Sequence, residues 1–313
     1  MHQRKPVQHI RVTPNMGAKD LLLAYKRCGV MGAARLGRAA EITQKMLADK
    51  DCTVFFAIAG AMVPGGMKEV IHDMLRHARI GCFVTTGATL THDTVEALGY
   101  AHYQGNAHED DSKLNKEGMD RMWDSLMPNK VYEGLERWFE EHWNELSKAT
   151  TIPQFLHIMG ENLPANSILH ICAKQNIPVF CPALNDSGLG LMIWGLLEKG
   201  KKLSVGAFDD LKDIIRLAWD SKKNGVIYIG GGTPKNYCQQ AMQFSKEAVY
   251  GVQISTDIPH YGGSSGAPLH EGISWGKMKP HAQNVDVYCD ATIALPLLWA
   301  AVKPEQPALS DNS

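Results

Sequence analysis

In the segment Glu271–Lys277, reading EGISWGK, a lysine stands two residues beyond a tryptophan, across a glycine. A lysine amine forms imines with carbonyls or with other imines, so Lys277 could carry a group covalently. Upstream, Ile229–Lys235 reads IGGGTPK. Gly230, Gly231 and Gly232 would let backbone amides approach an anion. Thr233 suits an N-cap and Pro234 the first helical position, and a helix start offers amides and a positive dipole end to a phosphate. Together they point to NAD-linked transfer through an enzyme–lysine imine. The plainer readings are a tight turn packed for its own sake and a solvated surface lysine. A free lysine is mostly protonated at neutral pH; burial beside aromatic surface would free the amine. Trp275 is either core or the wall of a channel for an extended cationic ligand, held by cation–π contact.

These residues need a scaffold that brings strand ends together. Short runs rich in Val, Ile and Phe read as strands: Thr53–Ala59, Ile80–Thr85, Pro178–Pro182, Gly225–Ile229, Tyr250–Ser255 and Val285–Cys289. They suit a sheet buried on both faces. Helices are expected at Ala18–Cys28, Ala33–Asp49, Gly66–Arg79, Asp93–Leu98, Val131–Leu146, Ser167–Gln175, Gly188–Glu198, Asp209–Lys223, Pro234–Lys246 and Ala291–Val302. The alternation predicts an α/β fold, a Rossmann-like doubly wound, mostly parallel sheet with helices on both faces. Ligands gather at the carboxyl ends of such strands. Polar or glycine-rich turns follow the strands there: VTTGATLTHD, PALNDSGLG, IGGGTPK, STDIPHYGGSSGAP and CDA. Asp186, Asp257 and Asp290 each follow a strand and would bind ribose hydroxyls or cations, or cap the next helix. No GxGxxG follows the first strand, so the common dinucleotide fingerprint is absent. The polar stretch Ala101–Asp124 has no clear period and reads as an exposed excursion or lid.

The chain has 313 residues, 44% hydrophobic and 21% charged, with a net charge of −1. That is an ordinary globular balance with material for a substantial core. No compositional break suggests a linker, so residues 1–313 are expected to form one domain. Bulk charge favours neither nucleic acid nor an anionic membrane, and no apolar run reaches the roughly 18 residues of a membrane span. The opening MHQRKPVQHI lacks the apolar centre of a signal peptide, so a cytoplasmic protein is expected. Fraying is expected of the tail beyond Val302. Seven scattered cysteines include no CxxC pair, and buried reduced thiols are the expectation. No metal site is expected; His72 and His77, five apart on a helical stretch, would face different ways.

The motifs form a recognisable set. Tyr250–Ala291, with SWGK, an SGA element before it and a VYxDA element after it, resembles deoxyhypusine synthase. The triple-glycine turn, the PALxD element at Pro182–Asp186 and the VTTG element at Val84–Gly87 match in order, so the resemblance spans nearly the whole chain. It implies a Rossmann-like fold, a homotetramer with active sites at subunit interfaces, and NAD used without net redox change. Spermidine would be oxidised to an imine. The active-site lysine would displace 1,3-diaminopropane, and the 4-aminobutyl group would pass to an acceptor amine. By matched motif Lys277 would be the carrier, with Trp275 and Glu271 lining the polyamine channel. Thr86, Asp186, Gly230, Gly231, Thr256, Asp257, Asp290 and Ala291 would contact NAD.

The chain departs from the eukaryotic pattern at Leu191 and Ser264, which replace acids. Tyr261 replaces an NAD-side aspartate. Asn236, on the substrate side, replaces a histidine, and His92 replaces an acid. TLTHD resembles the archaeal and bacterial branch more closely. Because a buried ammonium needs a partner, the lost acids favour a small-amine acceptor such as putrescine, giving homospermidine. The lysine of the hypusine-bearing translation factor stays open as acceptor. A non-catalytic NAD or polyamine binder is the reading from another class.

Overall fold

The computed structural model describes residues 4–304; from residue 305 on, the expected frayed tail lies outside the described residues. In chain order the helices are α1 Ala18–Cys28, α2 Met31–Ala48, α3 Lys68–His77, α4 Gly87–Ala97, α5 Asp111–Glu117, α6 Val131–Leu146, α7 Ile152–Asn162, α8 Ile168–Lys174, α9 Gly188–Glu198, α10 Ala207–Asp220, α11 Gly232–Gln243 and α12 Ala291–Val302. The strands are β1 Cys52–Ile58, β2 Ile80–Thr85, β3 Tyr103–Gln104, β4 Met119–Met122, β5 Ser125–Pro128, β6 Val179–Phe180, β7 Lys223–Ile229, β8 Ala248–Ser255 and β9 Met278–Tyr288. A six-stranded sheet has the order β6-β2-β1-β7-β8-β9, and a three-stranded sheet the order β3-β5-β4. The α/β fold with a mostly parallel sheet is as the sequence predicts. Among the described residues no helix is long and apolar enough to cross a membrane.

The chain forms two compact units. One holds the residues up to Ala57, His77–Ile80 and the residues from Ile215 on; the other holds Ile58–Arg76 and Gly81–Ile214.

In the first unit β7 pairs with β8 in parallel, Val226 opposite Gly251 and Ile229 opposite Ile254. β8 pairs with β9 in parallel, Val252 opposite Val285 and Ile254 opposite Val287. The β8–β9 ladder begins at Ala248 opposite Met278 and resumes only at Tyr250 opposite Gln283. This lengthens β9 well beyond the expected Val285–Cys289, because the irregular stretch hides the period. β7 and β8 are buried along nearly their whole length, which explains their continuous apolar runs. Ile42 and Met46 of α2, Cys238 and Met242 of α11, and Leu295 and Leu298 of α12 supply buried core.

In the second unit β2 pairs with β6 in parallel, Phe83 opposite Val179. Helix α7, absent from the expected elements, starts at the Thr151 N-cap and buries Ile152, Phe155, Leu156 and Met159. That is the i, i+3, i+4, i+7 spacing of a packed helix. The stretch 101–124, read from sequence as an exposed excursion or lid, contains β3, α5 and β4. Asp110 caps α5, which ends at Gly118 in the left-handed conformation, and Arg121 clasps Asp111 through bonds of 2.6 and 2.7 Å. Strands this short carry too few residues to display a period. None of the seven cysteines forms a disulfide among the described residues, and five of them are buried.

Candidate active site

In the first unit the site grows from three strand ends. β7 ends in the triple-glycine turn, where Gly230 and Gly232 adopt φ of 75° and 57°. α11 begins at Gly232 with Gly231 as N-cap, so Thr233 and Pro234 lie inside the first turn, two positions beyond their expected places. A Cβ on Gly231 would lie 2.6 Å from Ser265 Cα, whereas one on Gly232 would meet nothing within 4 Å. Gly231 is thus required by packing, and Gly232 faces open space. The Gly232 N–H donates to Ser265 Oγ at 3.0 Å. The turn therefore combines the two readings, tight packing on one side and an open glycine helix start on the other.

β8 ends at Ser255, followed by the exposed Thr256. The Asp257 N–H donates to Ser255 Oγ, and the Asp257 carboxylate accepts the Ile258 N–H. After β9, Asp290 caps α12 by accepting the Thr292 N–H and hydroxyl, both at 2.8 Å, and Ala291 is the first helical residue. Asp290 thus takes the capping role.

The lysine segment leaves a 3-10 turn, Leu269–Ile273. Gly276, at φ 66°, reverses the chain, and the Lys277 N–H donates to the Gly272 carbonyl at 2.8 Å. The Lys277 carbonyl accepts from Ala248 N–H at 3.1 Å, fixing its backbone beside the first residue of β8. Its Nζ lies 5.0 Å from the Trp275 ring centroid, within cation–π range. Burial lowers the Lys277 pKa, while Glu271 pulls it up. Trp275 is 56% exposed, so it is a wall open to solvent and not core.

Lys235, at the end of IGGGTPK, went unweighed in the sequence. It is 0% exposed, and its amine donates to the carbonyls of Ser264 at 2.6 Å and Ala267 at 2.5 Å. Burial lowers its pKa to about 8. The signal was its place in the first turn of α11, on the same face as Cys238 and Gln239, both buried. Asn236 beside it is half-buried.

In the second unit two helix starts meet. Thr86 caps α4 by accepting the Thr89 N–H, and Ser187 caps α9. A Cβ on Gly87 would clash with Ser187, and Thr91 Oγ1 accepts the Leu189 N–H at 3.1 Å. Thr86 and the exposed Asp186 therefore lie at neighbouring helix starts, after β2 and β6. His92, on α4, shares a hydrogen bond of 2.9 Å with His102, which meets Glu96 at 2.7 Å. Burial and His102 lower the His92 pKa to about 4.

A family model described as deoxyhypusine synthase matches residues 20–302. Probable deoxyhypusine synthase 1 of Methanosarcina acetivorans is 41% identical over 301 residues, covering 95% of this chain and 94% of the relative. Probable deoxyhypusine synthase 1 of Archaeoglobus fulgidus is 42% identical over 271 residues, covering 86% and 88%. A crystal structure from Entamoeba histolytica, named for the same family, superposes with a TM-score of 0.64 at 21% identity, covering 92% and 93% of the two chains; that likeness concerns the fold. With the family matched along the chain from α1 to α12, the protein belongs to the deoxyhypusine synthase family of transferases.

Proposed function

We propose that the protein is an NAD-dependent aminobutyltransferase that carries the 4-aminobutyl group of spermidine as an imine on Lys277. The observation that carries this reading is the Lys277 amine itself, 5.0 Å over Trp275 and depressed in pKa by burial. A nucleophilic lysine must be unprotonated, and partial desolvation raises that fraction. The Trp275 face attracts ammonium groups, and Glu271 offers them a carboxylate.

Bound NAD would supply the hydride acceptor for oxidising the donor carbon and the hydride donor for reducing the product imine. The open face of Gly232 and the α11 helix start suit a phosphate of this cofactor. Gly230, Gly231, Thr256, Asp257, Asp290 and Ala291 are its proposed contacts in the first unit; Thr86 and Asp186 are proposed as NAD-binding by the family resemblance alone. Neutral Lys277 adds to the oxidised carbon, and the C–N bond to 1,3-diaminopropane breaks. The acceptor amine then adds to the lysine imine, and the Lys277 C–N bond breaks in turn.

The proposed acceptor is a small amine such as putrescine, giving homospermidine, with the lysine of the hypusine-bearing translation factor as the other candidate. A cytoplasmic homotetramer completes the proposal. Exposed Leu191 and Trp194 on α9 and Ile293 on α12 support assembly.

The test is product analysis by mass spectrometry with NAD, labelled spermidine and either acceptor, followed by borohydride reduction. Label trapped on Lys277 together with homospermidine is the expected result. Label on the factor's lysine would make the protein acceptor the right one. Neither trapped label nor released 1,3-diaminopropane would sink the lysine-imine reading.

A further inference from the structure

Lys235 is the fully buried lysine of the first unit, and the carrier chemistry leaves it unused. A buried ammonium is expensive unless its hydrogen bonds are met. A side chain that only filled this space would serve better as methionine. What Lys235 supplies is two donors aimed at two backbone carbonyls, Ser264 and Ala267, either side of the SGA turn. Three further contacts hold the same loop: Ser265 Oγ accepts the Gly232 N–H, Gln253 Nε2 donates to the Ser265 carbonyl at 2.9 Å, and Asp286 Oδ1 accepts the Leu269 N–H at 2.9 Å. Leu269 opens the 3-10 turn that carries Glu271 and runs on to Trp275 and Lys277.

We propose that Lys235 is a positioning residue: it ties the start of α11 to the Ser264–Leu269 loop and so holds the Glu271–Lys277 segment in register with the triple-glycine turn. This rests on Lys277 being the group carrier. The charges facing Lys235 are Asp286 on β9, Glu271 in the 3-10 turn, Asp257 after β8, and the like charge of Lys277. Lys277 in turn is drawn by Glu271.

The test compares full-length Lys235→Met with wild type. Three results are expected: unfolding stability lowered, because the Ser264 and Ala267 carbonyls lose their donor, amide exchange of residues 264–277 faster by roughly tenfold, and kcat for 1,3-diaminopropane release lower by roughly 10- to 100-fold, a larger change than in the KM for spermidine. Gln253→Leu removes a second tie to the same loop while also removing a buried amide oxygen that lacks a partner. It is expected to lower kcat in the same direction, and it carries the test should Lys235→Met fail to fold. Unchanged exchange in the loop, or a loosened loop with wild-type kcat, would overturn the proposal. A wild-type enzyme that releases no diaminopropane would instead remove the carrier reading, and exchange would then report Lys235 as a loop tie alone.

Discussion

The two units each bury a lysine, and the surroundings are opposite. Lys68, 7% exposed, lies 3.5 Å from an Asp93 carboxylate oxygen and 3.6 Å from Glu96. Lys235, 0% exposed, meets only carbonyls at hydrogen-bond range, and burial drops its pKa to about 8. Lys277 likewise rests on an indole face. Lys68 has carboxylates as counter-charges, whereas burial lowers the pKa of Lys235 and Lys277 even though carbonyls and an indole face themselves favour the ammonium. The second unit thus pairs its buried lysine with carboxylates, and the first holds Lys235 and Lys277 where burial favours the free amine that nucleophile chemistry requires.

The sharpest break in that comparison is at the nucleophile. Lys277→Ala is expected to lower aminobutyl transfer by at least about 1000-fold, with binding of NAD retained. Lys277→Arg should do the same, because a guanidinium stays protonated. Normal turnover in either variant would end the lysine-imine route. On the other side, Asp93 accepts from Ser167 Oγ and Ile168 N–H at 2.9 and 2.8 Å while facing Lys68 and His72. Asp93→Ala strands buried cationic and polar groups and should destabilise by about 3–5 kcal/mol. Urea unfolding measures the loss. If kcat of the folded fraction falls as steeply, Asp93 is no mere structural partner and the contrast fails.

The features that sequence displayed are those set by local rules. The β2 strand Ile80–Thr85 and the helices α1, α6, α9 and α12 have the expected limits, because apolar period and caps are local. The lysine, tryptophan and glycine-turn motifs were legible because each residue type has its own chemistry. Lys235 was not, since a lysine buried on backbone carbonyls depends on a loop some thirty residues on. Helix α7 was within reach: Thr151 and the Ile152, Phe155, Leu156, Met159 spacing mark it. The β3–β5–β4 sheet was not, because its register depends on pairing between strands, such as Met119 with Pro128.

Trp275 offers a smaller test on the same axis. Trp275→Leu keeps apolar surface beside Lys277 but removes the aromatic face. Cation–π contact at a half-exposed site contributes about 0.5–2 kcal/mol, so the KM for spermidine should rise by roughly 2- to 30-fold. An unchanged KM would mean that the indole does not face the donor, and would return Trp275 to a role at the lysine alone.

The smallest effect lies inside the His92–His102–Glu96 chain, which repeats the contrast in miniature. His102 meets the carboxylate; His92 meets only His102, and burial carries its pKa down to about 4, with Glu96 pulling weakly the other way. In the unfolded chain the same imidazole titrates near ~6.5. Between those values the unfolded state holds a proton that the folded state lacks, so stability rises as pH rises through this window and is lost as pH falls through it. One proton sets a slope of at most about 1.4 kcal/mol per pH unit. His92→Gln removes the titration while keeping groups that can bond to His102. Urea midpoints measured at about pH 5 and about pH 7 should therefore lie closer together in the variant than in wild type. Equal spacing in the two proteins would mean that His92 stays free to take its proton in the fold, so that distance from the carboxylate does not govern it.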